Sequence, residues 1–150
     1  MKKVVILAVF FSLFIVACSN EMPEAPKPKA SVGFDIEQRP FSFYWNSWYQ
    51  VWYMDIYILI TENAGVGATI NQAKVEWILN NANVAQSLHQ GGTLPPSGSL
   101  RVHIYSECPG KYRVDKIRIS ITGRDNNGHD IAVSHEYAIT WTTQQAIRLF

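Results

Sequence analysis

Aromatic side chains give this sequence its clearest capacity to bind a ligand. Such rings stack on sugars and anchor protein interfaces, although they also fill the cores of small domains. Trp45, Trp48 and Tyr49 surround a short Asn46-Ser47 connection, where a loop would expose them, so we predict that these three residues contact a ligand. The aromatic stretch as a whole comprises Phe41, Phe43, Tyr44, Trp45, Trp48, Tyr49, Trp52, Tyr53 and Tyr57.

Cys108 and His103 are the candidates for nucleophilic catalysis. A catalytic cysteine needs a histidine that can reach it and remove the thiol proton. His103 lies five residues before Cys108, but no local motif links the two residues. The sequence also has no Ser-His-Asp motif, glycine-rich phosphate loop or paired-carboxylate signature. We therefore predict no catalytic residues and no enzymatic activity, and an envelope enzyme that uses Cys108 or His103 is the weakest alternative.

Two pairs of metal-ligand residue types, His129-Asp130 and His135-Glu136, lie near each other in the sequence. Positions six residues apart in one strand lie roughly 20 Å apart, which is too far for two side chains to share an ion. Glu136 would also be the twelfth residue of a calcium loop that starts at Asp125, but an alternating strand intervenes. We therefore predict no metal site and no cofactor.

The N-terminus has the pattern of a secretory signal peptide. Lys2 and Lys3 precede an apolar run over residues 4–16, which only Ser12 interrupts. This run is too short to cross about 30 Å of hydrocarbon as a permanent helix. The small residue Ala17 then directly precedes Cys18, as a signal peptidase requires of the position before its cut.

The sequence Ile15-Val16-Ala17-Cys18 resembles the lipobox of bacterial lipoproteins. The resemblance implies cleavage between Ala17 and Cys18, which removes a signal peptide of residues 1–17, and attachment of a diacylglycerol to the Cys18 thiol. The mature protein would then be lipid-anchored in the cell envelope. Because Ser19 replaces the Asp that retains such proteins in the inner membrane, the resemblance favours the outer membrane of a Gram-negative host.

Composition divides the rest of the chain into a tether and one domain. Residues 18–32 contain Pro23, Pro26 and Pro28 among polar residues, and we predict a solvated tether there. Residues 33–150 are enough for one domain with its own core. Without Lys2 and Lys3, the 13 basic residues fall to 11 against 12 acidic ones, and no block of like charges occurs. This balance argues against nucleic-acid binding.

Most of the domain alternates apolar and polar residues with a period of two, which is typical of strands with one buried face. In the first long strand, Trp52 is assigned to the core face, which leaves Tyr53 and Tyr57 on the opposite face. The clearest apolar faces are Trp52, Met54, Ile56, Ile58 and Ile60; Leu100, Val102 and Ile104; Ile117, Ile119 and Ile121; and Ile131, Val133, Tyr137 and Ile139.

Three other segments complete the expected elements. Residues 34–44 could form an opening strand, and residues 125–128 form a turn that joins the last two strands in a hairpin. Residues 70–89 are ambiguous, because their apolar residues fit both helical and alternating spacing. The asparagine-rich turn in that segment favours two strands, at about 71–79 and 84–89, over a helix.

Turn sequences in the domain resemble those of immunoglobulin-like domains in bacterial envelope proteins. The matching segments are residues 61–70, Leu94-Pro95-Pro96-Ser97-Gly98-Ser99, and residues 122–128. The resemblance implies an all-β fold, a single immunoglobulin-like or fibronectin-like antiparallel β-sandwich of about seven strands. It concerns turn residues and therefore speaks to fold and hardly to function.

These observations together predict a membrane-anchored lipoprotein whose β-sandwich is a non-enzymatic binding module. Its expected partners are the membrane, through the lipid, and a protein of the cell envelope. The alternative is a carbohydrate-binding module that uses Trp45, Trp48 and Tyr49.

Overall fold

The computed structural model describes residues 24–37 and 43–139, and within these ranges it contains eight β-strands and no helix. These ranges therefore hold no helix able to cross a bilayer. The predicted signal peptide, Cys18 and the first part of the tether lie outside the described residues. The strands are β1 (Val32–Ile36), β2 (Phe43–Asn46), β3 (Val51–Glu62), β4 (Ala68–Leu79), β5 (Ala82–Leu94), β6 (Ser99–Pro109), β7 (Lys116–Asp125) and β8 (Asp130–Ala138).

The strands form two antiparallel sheets of four strands each. Sheet A contains β1, β2, β3 and β6, and sheet B has the order β5-β4-β7-β8. Because β6 occupies one edge of β3 from Val51 to Thr61, β1 and β2 must lie end to end along its other edge. The predicted all-β sandwich is confirmed, with eight described strands where about seven were predicted.

The core lies between the two sheets and is built from the predicted apolar faces. Burial of each large aliphatic side chain stabilises the fold by about 1.5–3 kcal/mol, which offsets the entropy of ordering the strands. Trp52, at the edge of this core, is only half-buried. The fully buried large side chains are Met54, Ile56, Ile58, Ile60, Glu62, Ile70, Trp77, Leu94, Ile104, Ile117, Ile119 and Ile121.

The ambiguous segment forms two strands, β4 and β5, which confirms the strand interpretation over the helical one. Asn80 and Asn81 join them with φ angles of 49° and 63°. Positive φ at both central residues is what a two-residue hairpin turn with native strand twist requires. Both strands extend beyond the predicted limits, and β5 includes Gly91, where a Cβ would overlap the Ile70 carbonyl oxygen.

The structure does not contain the single opening strand that was expected over residues 34–44. Its ends belong to two strands, β1 and β2, and residues 38–42 between them lie outside the described residues. The physical reason is the length of β3, whose twelve residues offer separate pairing sites to each short strand.

The strand register gives the sandwich two distinct ends. At the tether end, β3 finishes at Glu62 beside the start of β1. At the distal end lie the turn at residues 47–50 and the Asn80-Asn81 turn. β3 spans the whole distance between them, roughly 36 Å at strand rise.

Candidate functional site

Trp48 and Tyr49 lie in the distal turn and are the most exposed large aromatic residues described, with 92% and 77% of their surfaces accessible. The Asn46 side-chain oxygen accepts hydrogen bonds from the backbone N–H groups of Trp48 and Tyr49, at 3.1 and 3.2 Å. These bonds fix the backbone of the turn, and both aromatic side chains extend into solvent. The structure therefore places these two predicted residues where a ligand can reach them.

Trp45 lies within β2, and not in the exposed loop that the sequence suggested. Its ring packs against Trp52 at a centroid distance of 5.1 Å and covers Gly110, where a Cβ would overlap it. Trp45 also forms one wall of a hollow of about 410 Å³, which Gln50, Pro109, Gly110 and Lys111 complete. Trp45 therefore both supports the distal end and lines a surface there.

A second aromatic surface covers the outer face of sheet A and was not among the predicted sites. We call it the tyrosine face, and three pairing strands build it. In the sequence, this surface was indicated by the alternating polar residues of β6. Their relation to the tyrosines of β3 became clear only from the pairing register of the two strands. The tyrosine face comprises Tyr44, Tyr53, Asp55, Tyr57, Arg101, His103, Tyr105 and Glu107.

Three tyrosines form a row across the tyrosine face. Tyr44, Tyr53 and Tyr105 come from β2, β3 and β6, with ring centroids 5.3 and 5.7 Å apart. Tyr44 and Tyr105 keep 49% and 44% of their surfaces exposed. Contiguous exposed aromatic rings of this kind are a mark of interaction surfaces.

Charged groups complete the tyrosine face beside this row. The Arg101 guanidinium lies 3.7 Å from the ring centroid of Tyr57 and donates a hydrogen bond of 2.8 Å to Glu37. His103 Nε2 lies 2.6 Å from an Asp55 carboxylate oxygen. A shallow hollow of about 420 Å³ also lies on this face, lined by Tyr44, Tyr53, Asp55, Tyr57 and His103.

The carboxylates of this face affect the pKa of Tyr105. The hydrogen bond that its hydroxyl donates to Glu107, at 2.7 Å, together with burial and the charges of Glu107 and Asp55, raises the pKa of Tyr105 to about 12. Tyr105 therefore stays a neutral phenol throughout the physiological range.

Glu62 is a buried carboxylate at the tether end with a structural role. Burial by itself would raise its pKa, but backbone N–H groups of Ser97, Ala64, Ser31 and Gly65 donate to it and lower its pKa to about 2. These bonds are 2.7–3.2 Å long. Glu62 thus ties the incoming chain and two turns to the end of β3.

Asp125 performs the same role in the β7–β8 turn. Burial would raise its pKa, but N–H groups of Ala30, His129 and Asn127 and the His129 ring hold the pKa well below its usual range. The Asn127 side chain donates to the Pro28 carbonyl at 2.7 Å. The predicted turn at residues 125–128 is confirmed, and Asp125 serves it as a hydrogen-bond acceptor.

The candidate catalytic pair is not brought together. Cys108 faces the core of the sandwich, whereas His103 lies on the outer face of the same sheet. Burial raises the pKa of the Cys108 thiol to about 11, which disfavours the nucleophilic thiolate. Among the described residues, no three His, Cys, Asp or Glu side chains are grouped so that they could hold a metal ion.

A chain of polar groups crosses the core without serving an exposed site. The Trp77 indole N–H donates to Ser106 Oγ at 2.7 Å, and Ser87 Oγ also donates to it at 2.8 Å. His89 completes the chain through Ser87 at 2.8 Å. Burial, and to a lesser extent the electrostatic influence of His103, lower the pKa of His89, which favours its neutral form.

Comparisons with known proteins support the fold and leave the function open. No known family and no curated protein matches this chain. A crystal structure from Bordetella pertussis, provisionally called ApaA, is 12% identical with a TM-score of 0.58, over 79% of this chain and 99% of that one. A protein from Archaeoglobus fulgidus is 8% identical with a TM-score of 0.38, over 77% and 98% of the two chains. The first likeness shows a shared β-sandwich fold alone.

Proposed function

We propose that this chain is the precursor of a lipid-anchored protein of the cell envelope, whose β-sandwich binds a partner protein without catalysing a reaction. The observation that carries the proposal is the separation of the two ends of the sandwich. The chain from the N-terminus is bound at the tether end, whereas Trp48 and Tyr49 are exposed at the distal end.

The position at which the tether is bound decides which end of the sandwich would face the membrane. Ala30 and Ser31 donate backbone hydrogen bonds to Asp125 and Glu62, so the tether leaves the sandwich from a defined position. A lipid on Cys18 would turn that end toward the membrane. The proline-rich chain before Pro28 reaches roughly 30 Å, so the distal aromatics would face away from the bilayer. An immunoglobulin-like or fibronectin-like strand arrangement, typical of binding modules, is part of this proposal.

In-cell cross-linking tests the proposal. A photo-reactive residue is placed at Trp48 of the full-length protein and, as a matched control, at the exposed Ser134 on the outer face of sheet B. We expect position 48 to capture one reproducible envelope protein, which mass spectrometry identifies. Capture should be lost in Cys18→Ala and absent at position 134. If no protein is captured above the Cys18→Ala background, the proposal is wrong.

A glycan is the second candidate ligand, and the hollow beside Trp45 supports it. There an aromatic wall adjoins the hydrogen-bonding side chains of Gln50 and Lys111. A glycan array probed with the full-length protein, with Lys111→Ala in the hollow and with Trp48→Ala/Tyr49→Ala tests this alternative. Binding of a defined glycan that either variant loses would favour it over a protein partner. Trp45 stays unchanged in both variants because its ring also packs on Gly110.

A further inference from the structure

Four residues of the tyrosine face form a square of alternating tyrosines and carboxylates. The β3–β6 register places Tyr53 opposite Glu107 and Asp55 opposite Tyr105. Opposite residues lie roughly 5 Å apart and residues two apart in a strand roughly 7 Å. Each tyrosine therefore has a carboxylate at both neighbouring corners. A cation above the square would meet aromatic rings and two negative charges at once.

The outer face of sheet A carries an excess of negative charge. Its described acidic residues are Asp35, Glu37, Asp55 and Glu107, and its one described arginine or lysine is Arg101. With His103 counted as neutral, the described residues of this face have a net charge of −3. Residues 18–150 together are near −1, because their 11 lysines and arginines stand against 12 acidic residues.

The outer face of sheet B provides a comparison, because its acidic side chains form ion pairs with basic side chains of the same face. There Glu76 and Glu136 pair with Lys74, Lys116 and Arg118. Arg124 pairs with Asp130 in the same way. In contrast, no described lysine or arginine pairs with Asp55 or Glu107, whose described polar partners are His103 and the Tyr105 hydroxyl.

The tyrosine face already holds one arginine in the manner that the square could hold another. Arg101 lies over the ring of Tyr57 and pairs with the Glu37 carboxylate. Guanidinium groups combine stacking on aromatic rings with paired hydrogen bonds to carboxylates, and this combination is frequent at the energetic centres of protein interfaces. The square offers the same two components, and the base that contacts it is His103, which lies 2.6 Å from Asp55, while no described lysine or arginine pairs with its carboxylates.

We propose that the square of Tyr53, Asp55, Tyr105 and Glu107 binds an arginine side chain of a partner protein, so that the tyrosine face docks a basic surface. This inference rests on the proposed function as a binding module and names the chemistry of the partner. The raised pKa of Tyr105 agrees with the negative charge around the square.

The test uses the full-length protein in a nonionic detergent and two fluorescein-labelled probes. One is a Gly-Ser peptide with several arginines, and the other has citrulline, the neutral isostere of arginine, at the same positions. Fluorescence anisotropy gives the dissociation constants at about 50 and 500 mM NaCl. The test variant is Asp55→Asn/Glu107→Gln, and Asp130→Asn/Glu136→Gln on sheet B removes the same number of charges as a control. The single Asp55→Asn keeps the test open if the first double variant does not fold.

We expect the arginine peptide to bind at least tenfold more tightly than the citrulline peptide at low salt, and to weaken at high salt. Asp55→Asn/Glu107→Gln should lose at least tenfold in affinity, whereas the sheet B control should change by about twofold at most. Equal binding of both peptides, equal losses in both double variants, or no binding by the wild type below about 1 mM would each overturn the inference.

The same variants separate this inference from the proposed function. If Asp55→Asn/Glu107→Gln captures the cellular partner as well as the wild type does, the proposed function stands and the arginine site is wrong. If the wild type captures no partner in cells, the proposed function fails, and the peptide titration alone decides whether the square binds arginine.

Discussion

Single buried polar residues add to the stability that the apolar core of this small sandwich provides. Glu62 and Asp125 are carboxylates in nearly inaccessible positions, and their backbone donors compensate the loss of hydration. Ser106 does the same for the indole of Trp77 inside the core. Replacing any of these residues leaves donors buried without acceptors, and that cost exceeds the value of the lost bond itself.

Glu62 should make stability depend on pH in the acidic range. Its pKa is about 2 in the folded protein, below an ordinary value of roughly 4.3 in the unfolded chain. The unfolded chain thus binds the proton first, so this contribution is complete above the ordinary value and is lost as pH falls toward 2. We expect Glu62→Gln to be less stable than wild type at pH 7, with a difference that shrinks toward pH 2.5. Urea unfolding measures it, and a pH-independent difference would contradict this role.

Ser106→Ala should destabilise the protein by about 1–3 kcal/mol, because it leaves the Trp77 N–H buried without an acceptor. The matched control is Ser134→Ala on the exposed outer face of sheet B, where a change of at most about 0.5 kcal/mol is expected. Free energies of unfolding from urea titrations make the comparison. Equal effects of the two substitutions would show that the hydrogen bond to Trp77 contributes nothing.

At the scale of elements, strand length and turn chemistry set the register that the site needs. β3 is the central element, because it pairs with β1 and β2 along one edge and β6 along the other. The β4–β5 turn has a comparable role in sheet B, where two consecutive residues have positive φ. Asparagine tolerates this conformation better than other non-glycine residues do.

Asn81→Val should therefore destabilise the protein by about 1–2 kcal/mol, since a β-branched side chain strains the left-handed conformation. Asn81→Gly should be neutral or slightly stabilising at the same position. Thermal unfolding of both variants checks this expectation. A stable Asn81→Val variant would mean that the turn adopts another conformation in solution.

At the scale of the whole molecule, the two ends of the sandwich differ. The tether is bound at one end, the exposed Trp48 and Tyr49 lie at the other, and the tyrosine face runs along one side. The proposed lipid anchor on Cys18 would convert this shape into reach away from the membrane.

Shortening the tether tests that reach. Deletion of residues 20–27 removes roughly 25 Å of extended chain and leaves the hydrogen bonds of Ala30 and Ser31 in place. We expect unchanged thermal stability but a several-fold lower yield of cross-links from position 48 in cells. Eight Gly-Ser residues in the same place should restore the yield. An unaffected yield in the shortened protein would show that reach is not required.

The sequence by itself determined most of the strands, their apolar faces and the turn at residues 125–128, and it favoured an asparagine-rich turn after residue 79, because alternation and turn chemistry are local properties. It also showed that Tyr53 and Tyr57 oppose the core face. The split of the opening strand into β1 and β2 and the half-buried position of Trp45 depended on partners elsewhere in the chain.

Only the tertiary structure decided that Tyr53 and Asp55 meet Tyr105 and Glu107. These two pairs come from strands about fifty residues apart, and each pair alone is an ordinary exposed segment. Pairing between distant strands is set by the packing of the entire core and by loop geometry, and a shift of one residue would exchange the two faces of a strand. For that physical reason, the square and the charge of its face became visible only after folding brought β3 and β6 together.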